Sequence, residues 1–283
     1  MAVNELPDPD PPRGRLIRYA DARHYLWGDA TSGQVKDWYY ASSDNIHMAM
    51  FSLPPGGMWR HSETHKSYYY ADECYYLLAG ELTIHNPETG DVAVLHAGEA
   101  LTFRQRTWHY GYNFSGVETI IICTFAPVPP DIASAAAMAA TVPPLAEVRQ
   151  GRWDLTGPGG FPWHAEAAGG TSAFRILKAS HWLSVLQGVD RPIRVDLMVA
   201  TEQQTSGLFS LLPGVTTDPE THPGDEVAFC VAGVVGLYLP ETDEWFELHP
   251  RDGGFIAAGV PHRWYNTTGE SATVFFGVAP AYR

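Results

Sequence analysis

Glu63, His65, Glu73 and His109 are side chains that bind divalent cations through oxygen and nitrogen, and the same set recurs as Glu220, His222, Glu226 and His262. In an extended strand, residues i and i+2 share a face, so Glu63 projects beside His65 and Glu220 beside His222. The second carboxylate lies beyond a turn, at the start of the next apolar run. The second imidazole arrives from a strand far along the chain. Two carboxylates and two imidazoles converging inside a barrel suit Mn²⁺, Fe²⁺, Ni²⁺ or Zn²⁺. His61 shares the strand parity of Glu63 and His65 and stands as a replacement ligand in the first copy. A carboxylate that does not ligate, Glu63 or Glu220, is the candidate general base.

The residues around these sets outline a substrate pocket. Tyr75 shares the parity of Glu73, Asn113 is in phase with His109, and Trp264 and Asn266 are in phase with His262. Arg104 and Arg106 precede His109, where a guanidinium can grip a substrate carboxylate bidentately. Aromatic walls with a few polar groups suit a small, flat organic substrate. The Tyr-rich segment 66–72 is either a lid or an ordinary surface hairpin.

The elements that must position these groups are repeated as well. From the second Glu onward the copies keep one offset, since 226−73, 233−80, 262−109 and 266−113 all equal 153. The Glu-Thr-His triplets stand further apart, at 220−63 = 157, so a four-residue slip falls in the segment 66–72 of the first copy. Short β-branched and aromatic runs such as Thr119 to Phe125 and Thr273 to Val278, bounded by Gly, Pro, Asn and Asp, read as strands. Many short strands with Gly- and Pro-rich turns indicate an all-β sandwich or barrel. The expected organisation is an extended arm over 1–13, a barrel over 14–127, a Pro/Ala/Gly-rich connector over 128–171 and a second barrel over 172–283. The Ala-rich stretch after Asp131 predicts one short helix, with Asp131 as its cap.

Composition narrows the partners. A chain of 283 residues with 45% hydrophobic content is long enough for two cores, and its formal charge of −14 argues against a nucleic-acid groove or an anionic membrane surface. No apolar run is long enough to span a bilayer, and no secretory leader is visible. Cys74, Cys123 and Cys230 each sit in an apolar run and read as reduced, buried thiols, which points to the cytoplasm.

The motifs resemble the cupin superfamily, whose first motif is approximately G-x5-H-x-H-x3–4-E-x6-G and whose second is G-x5-P-x-G-x2-H-x3-N. His222, Glu226 and Gly233 follow the first of these, and Gly259, His262 and Asn266 the second. In the first copy Glu73 and Gly80, then Gly98, His109 and Asn113, follow in the same way. The resemblance covers both repeats and implies a bicupin: two tandem jelly-roll barrels, each holding a metal through its His and Glu positions. Both copies depart from the pattern by placing Glu63 or Glu220 where the family has its first histidine. A Glu there is a ligand in some cupin aminohydrolases, such as those acting on ureidoglycine, although their later ligands differ.

Three functions follow as expectations. The first is a non-haem Fe(II) dioxygenase, in which two histidines and one carboxylate remain once Glu63 or Glu220 swings away, acting on a small aromatic or enolic compound. The second is an isomerase, lyase or hydrolase that uses Mn²⁺ or Zn²⁺ as a Lewis acid. The third is a non-catalytic binder of small molecules. A small-molecule substrate and a homodimer are the partners the resemblance implies.

Overall fold

The computed structural model describes residues 13–130, 132, 134–149 and 174–283. They form two β-barrels. The N-terminal barrel has a seven-stranded antiparallel sheet in the order Phe174–Leu177, Ala100–Phe103, Asp72–Ala79, Thr119–Ala126, His47–Leu53, Gly33–Ser42, Arg23–Asp29. A four-stranded sheet, Met58–Trp59, Tyr110–Tyr112, Glu81–His85 and Val92–His96, closes its other side. The C-terminal barrel repeats the plan with Gly14–Ile17, Gly253–Ile256, Asp225–Ala232, Ala272–Ala279, Thr205–Leu211, Ile193–Ala200 and Leu183–Gln187, faced by Glu244–Leu248, Val235–Leu239 and Arg263–Tyr265. No helix among the described residues is long and apolar enough to cross a membrane.

The central strands are apolar on both faces because both faces are buried. Along Thr119–Ala126, Ile121, Cys123 and Phe125 fill their own barrel, while Ile122 points the other way. Along Ala272–Ala279, Val274, Phe276 and Val278 face inward and Phe275 faces outward. The outward residues meet in a third core between the two large sheets, where Tyr40, Met48 and Ile122 pack with Phe229, Phe255 and Phe275. Polar groups in this seam are paired: Gln204 accepts from Thr124 at 2.7 Å and donates to the Asp72 carbonyl at 2.7 Å. The three cysteines are free and buried.

The first strand of each repeat joins the sheet of the other. Gly14–Ile17 pairs antiparallel with Gly253–Ile256, and Phe174–Leu177 with Ala100–Phe103. Arg18 and the Tyr19 backbone then anchor to Asp252 at 2.7 and 2.9 Å. Periodicity reports which face of a strand is apolar but not which sheet edge it completes, so this exchange is invisible in the sequence. Deleting residues 1–18 removes the buried Ile17 side chain, a ladder and this ion pair. The expected cost is about 2–4 kcal/mol, read as a lower unfolding temperature; an unchanged melting curve would show the strand to be dispensable.

The single α-helix of the described residues, Ala135–Thr141, begins at Ser134, whose hydroxyl accepts from the Ala137 amide at 3.3 Å. Ser134 therefore takes the capping role expected of Asp131, which lies outside the described residues, as do most of the arm and the Gly-rich end of the connector. The helix docks on the segment 66–72: Lys66 donates to the Ala139 carbonyl at 2.9 Å and Tyr70 to the Thr141 carbonyl at 3.2 Å. Residues 66–71 form no strand, and Asp72 already opens the strand Asp72–Ala79, so the segment is not a hairpin.

Candidate metal centre

In the C-terminal barrel the backbone does the positioning. Glu220 and His262 exchange two main-chain hydrogen bonds of 2.9 Å, which places residues of distant segments side by side. Two residues on, His222 accepts at its carbonyl from the Gly259 amide at 2.8 Å, and Gly259 turns there with φ of 77°. Glu226 is the second residue of Asp225–Ala232 and faces the same point.

The four functional groups converge. His262 Nε2 lies 3.0 Å from Glu226 Oε2 and 3.6 Å from Glu220 Oε1. His222 Nε2 lies 3.5 Å from Glu226 Oε2 and 4.0 Å from Glu220 Oε2. Each imidazole is held by its other nitrogen: His222 Nδ1 is 2.8 Å from the Tyr282 carbonyl and His262 Nδ1 is 3.1 Å from the Val260 carbonyl. A carbonyl can only accept, so both Nδ1 atoms carry a proton and each Nε2 is the nitrogen turned toward the cluster, the atom that ligates once it is deprotonated. His262 Nε2 and Glu226 Oε2 are buried, and despite their closeness neither makes a well-angled hydrogen bond. Orphaned donor atoms of this kind fit a divalent ion, and Glu220, His222 and His262 alone already form a metal-competent group.

The electrostatics of the metal-free cluster agree. Burial and the neighbouring Glu226 push the Glu220 carboxyl up to about 8. Burial opposes charge on Glu226 too, but the two imidazoles outweigh it and hold that carboxyl below its ordinary value. Burial works against a charged His262, yet Glu226 and Glu220 lift it to about 9. Protons on Glu220 and His262 thus balance the charge of the crowded carboxylates. The chamber among Phe209, Phe276, Tyr282 and Gln187 measures about 10 Å³, room for roughly one water-sized body.

The N-terminal barrel builds half of this and then closes it. His109 Nδ1 is anchored to the Thr107 carbonyl at 3.0 Å, matching His262 and Val260. Glu73 Oε2 lies 3.6 Å from His109 Nε2. Between them stands the Tyr75 hydroxyl, 2.8 Å from Glu73 Oε2 and 3.2 Å from His109 Nε2. The matching residue of the second copy is Ala228, which leaves the space free. Burial raises the Glu73 carboxyl well above its ordinary value and lowers His109 to about 4, so a neutral hydrogen-bonded trio replaces a charged ligand set. Tyr75→Phe strands two buried polar groups and is expected to cost about 1–3 kcal/mol in thermal unfolding. A neutral substitution would refute that trio.

Several expected site residues lie elsewhere. The longer loop turns His65 away from Glu73 and His109: its Nδ1 is 3.0 Å from the Thr64 hydroxyl and 3.4 Å from Asp29. Glu63 is exposed in a turn and reaches neither a metal cluster nor a substrate cavity. His61 is bonded to the Tyr110 hydroxyl and packs edge-on against Trp108, in a separate aromatic cluster. Arg104 pairs with Asp72 and Glu202 across the seam between barrels, and Arg106 is exposed over the Tyr70 ring, so neither guanidinium faces a cavity. Asn113 and Asn266 organise turns instead of lining pockets. Their amides donate to the carbonyls of Leu53 and Val117, and of Leu211 and Glu270, and their oxygens are used by Ser115 and Thr268. Trp264 is buried in the core edge-on to His262, outside the chamber. Tyr75 does face a cavity, as its parity predicts.

Two paired barrels with such a His/Glu cluster define a class of double-barrelled β protein built for a divalent metal. The model of the cupin domain matches residues 49–125 and 207–278, together just over half of the chain, and the chain belongs to that family as a bicupin. The whole architecture is similar to Lactobacillus farciminis oxalate decarboxylase solved as a formate complex, at 14% identity and a TM-score of 0.62 over 99% of this chain and 90% of that one. It is also similar to the protein Ylba of E. coli, at 11% identity and a TM-score of 0.64 over 98% and 95% of the two chains. AerE of Microcystis aeruginosa gives 8% identity and a TM-score of 0.59 over 91% and 97%. At these identities the likeness is one of fold. Among curated proteins no sequence matches this chain.

Proposed function

We propose that this bicupin is a metal-dependent enzyme whose C-terminal barrel holds one divalent ion through Glu220, His222, Glu226 and His262 and acts on a small polar metabolite as a hydrolase, lyase or isomerase. The observation that carries this reading is the position of Glu220, whose carboxylate stays within 3.6 and 4.0 Å of the two imidazoles. Such an ion supplies Lewis acidity, polarising a carbonyl or sharpening a bound water. Two carboxylates cancel the charge of a dication, so the site favours a neutral or amine-bearing substrate over an anionic chelator. Glu220 is the more exposed carboxylate of the pair and is placed to exchange a proton with substrate. Phe209 and Phe276 supply an apolar wall, while Tyr282, whose hydroxyl bonds Gln187 and whose ring stacks on His222, lines the chamber beside them.

The iron dioxygenase is the second reading and uses the same barrel. It requires Glu220 to leave the cluster, opening positions for O₂ and a chelating substrate, and the aromatic wall of Phe209 and Phe276 suits it. Reconstitution with Zn²⁺, Mn²⁺ or Fe²⁺, followed by a strictly anaerobic screen of small amides, amidines and hydroxy-carbonyl compounds, separates the two. Turnover by the Mn²⁺ or Zn²⁺ form without O₂ is expected. An absolute need for iron and stoichiometric O₂ consumption would transfer the assignment to the dioxygenase.

A further inference from the structure

The N-terminal barrel, whose metal position is filled by Tyr75, encloses a cavity of about 240 Å³. Strand Gly33–Ser42 explains its chemistry. Period two puts Val35, Asp37 and Tyr39 on one inward face, and all three line the cavity. Around Asp37 stand the rings of Tyr25, Trp27, Tyr39, Trp59 and Tyr69, with Tyr25 and Tyr39 only 4.4 Å apart at their centroids.

Charge is the anomaly. Among the described residues no Lys or Arg side chain lines the cavity, and Lys66, beside the lining residues His65 and Ser67, is committed to helix carbonyls. His65 faces Asp29, and burial lowers His47 to about 3, so His47 is neutral. Asp37 is half-buried, the desolvation pushes its carboxyl well above the ordinary value, and among the described residues no hydrogen bond or counter-charge offsets it. The Nδ1 atom of His47 is also buried without a partner. A carboxyl desolvated in this way either keeps its proton or exchanges it for an organic cation, and the faces of the surrounding Tyr and Trp rings attract cations as well.

We infer that this cavity is a metal-independent binding site for a small organic ammonium ion, held by Asp37 and the faces of Tyr39, Tyr69 and Trp27. His47 supplies a second polar contact. The short helix Ala135–Thr141 forms the mouth, with Ala135 and Met138 on its cavity side. This site stands apart from the metal reading and does not depend on it.

Calorimetric titration of the purified full-length chain tests the proposal, with 2-phenylethylammonium and choline as probes and 2-phenylethanol and 3,3-dimethylbutanol as their uncharged counterparts. Each cation is expected to bind at least about tenfold more tightly than its counterpart, with or without a chelator. Asp37→Asn should abolish that preference while leaving the weak binding of the alcohols. Ala135→Trp, on the surface helix, should block every probe without lowering the unfolding temperature, and it serves if Asp37→Asn does not fold. Equal binding of cations and alcohols, binding of neither, undiminished cation binding in folded Asp37→Asn, or full binding with Trp at 135 would each overturn the assignment. Loss of binding on chelation alone would overturn its independence from the metal.

Discussion

His262→Ala is expected to strip the protein of its metal, whereas His109→Ala leaves the metal content unchanged. Purified wild-type chain should carry about one divalent ion by elemental analysis, and the His262 variant close to none. Both histidines are buried, both are anchored at Nδ1 to a carbonyl two residues upstream, and both face a glutamate. Only what stands between the side chains differs. Around His262 a second carboxylate and a second imidazole converge; around His109 the Tyr75 hydroxyl has taken the position. Metal loss should also destabilise the fold, because an ion present at a thousand times its dissociation constant contributes about 4 kcal/mol. Wild-type protein treated with chelator should then melt like His262→Ala, while chelation leaves the melting of that variant unaltered. Metal lost from His109→Ala and kept by His262→Ala would reverse the assignment of barrels.

Metal affinity should climb steeply with pH. In the metal-free cluster the Glu220 and His262 protons persist to about 8 and about 9, and both groups must shed them to ligate. Each displaced proton contributes about a tenfold gain in affinity per pH unit, so the two together give about a hundredfold per unit below pH 8, levelling off above 9. The stability of the metal-free protein should run the opposite way. Both folded values are raised above the ordinary 4.5 and 6.5, so this stabilisation is full below those values and is lost as pH rises through about 8 and 9. Glu226, held below its ordinary value, acts in reverse and weakens the fold only as acid protonates it. Calorimetric uptake in two buffers of different ionisation enthalpy counts the released protons. Affinity independent of pH between 6 and 8 would mean that these protons are not held at the site.

Much of the C-terminal centre was legible in the chain. Glu220 and His222 share a face because a two-residue spacing in extended backbone allows nothing else, and Glu226 opens the next strand. The first copy has the same residue types, but its loop is four residues longer, and that swings His65 out toward Asp29 and leaves Glu63 in solvent. Parity correctly aimed Tyr75 at the cavity without showing that its hydroxyl reaches both Glu73 and His109. For Asn113 and Asn266, phase was a misleading guide. Their recurrence marks a turn that repeats, with every amide and carbonyl consumed locally. For Asp37 and His47 the only signal in the chain is parity: each is a polar residue in step with the inward side chains of its strand, Asp37 with Val35 and Tyr39, His47 with Ala49 and Phe51.

The sequence by itself determined the duplication, the all-β character and the residue types able to bind a metal, because these follow from local periodicity and from chemistry carried by single side chains. Only the tertiary structure decided which barrel gathers four donors and which fills with a tyrosine, and that the first strands are exchanged between sheets. Those outcomes depend on ångström-scale distances between residues remote in the chain. A period of two specifies a direction, and the packing of two sheets specifies what is met there.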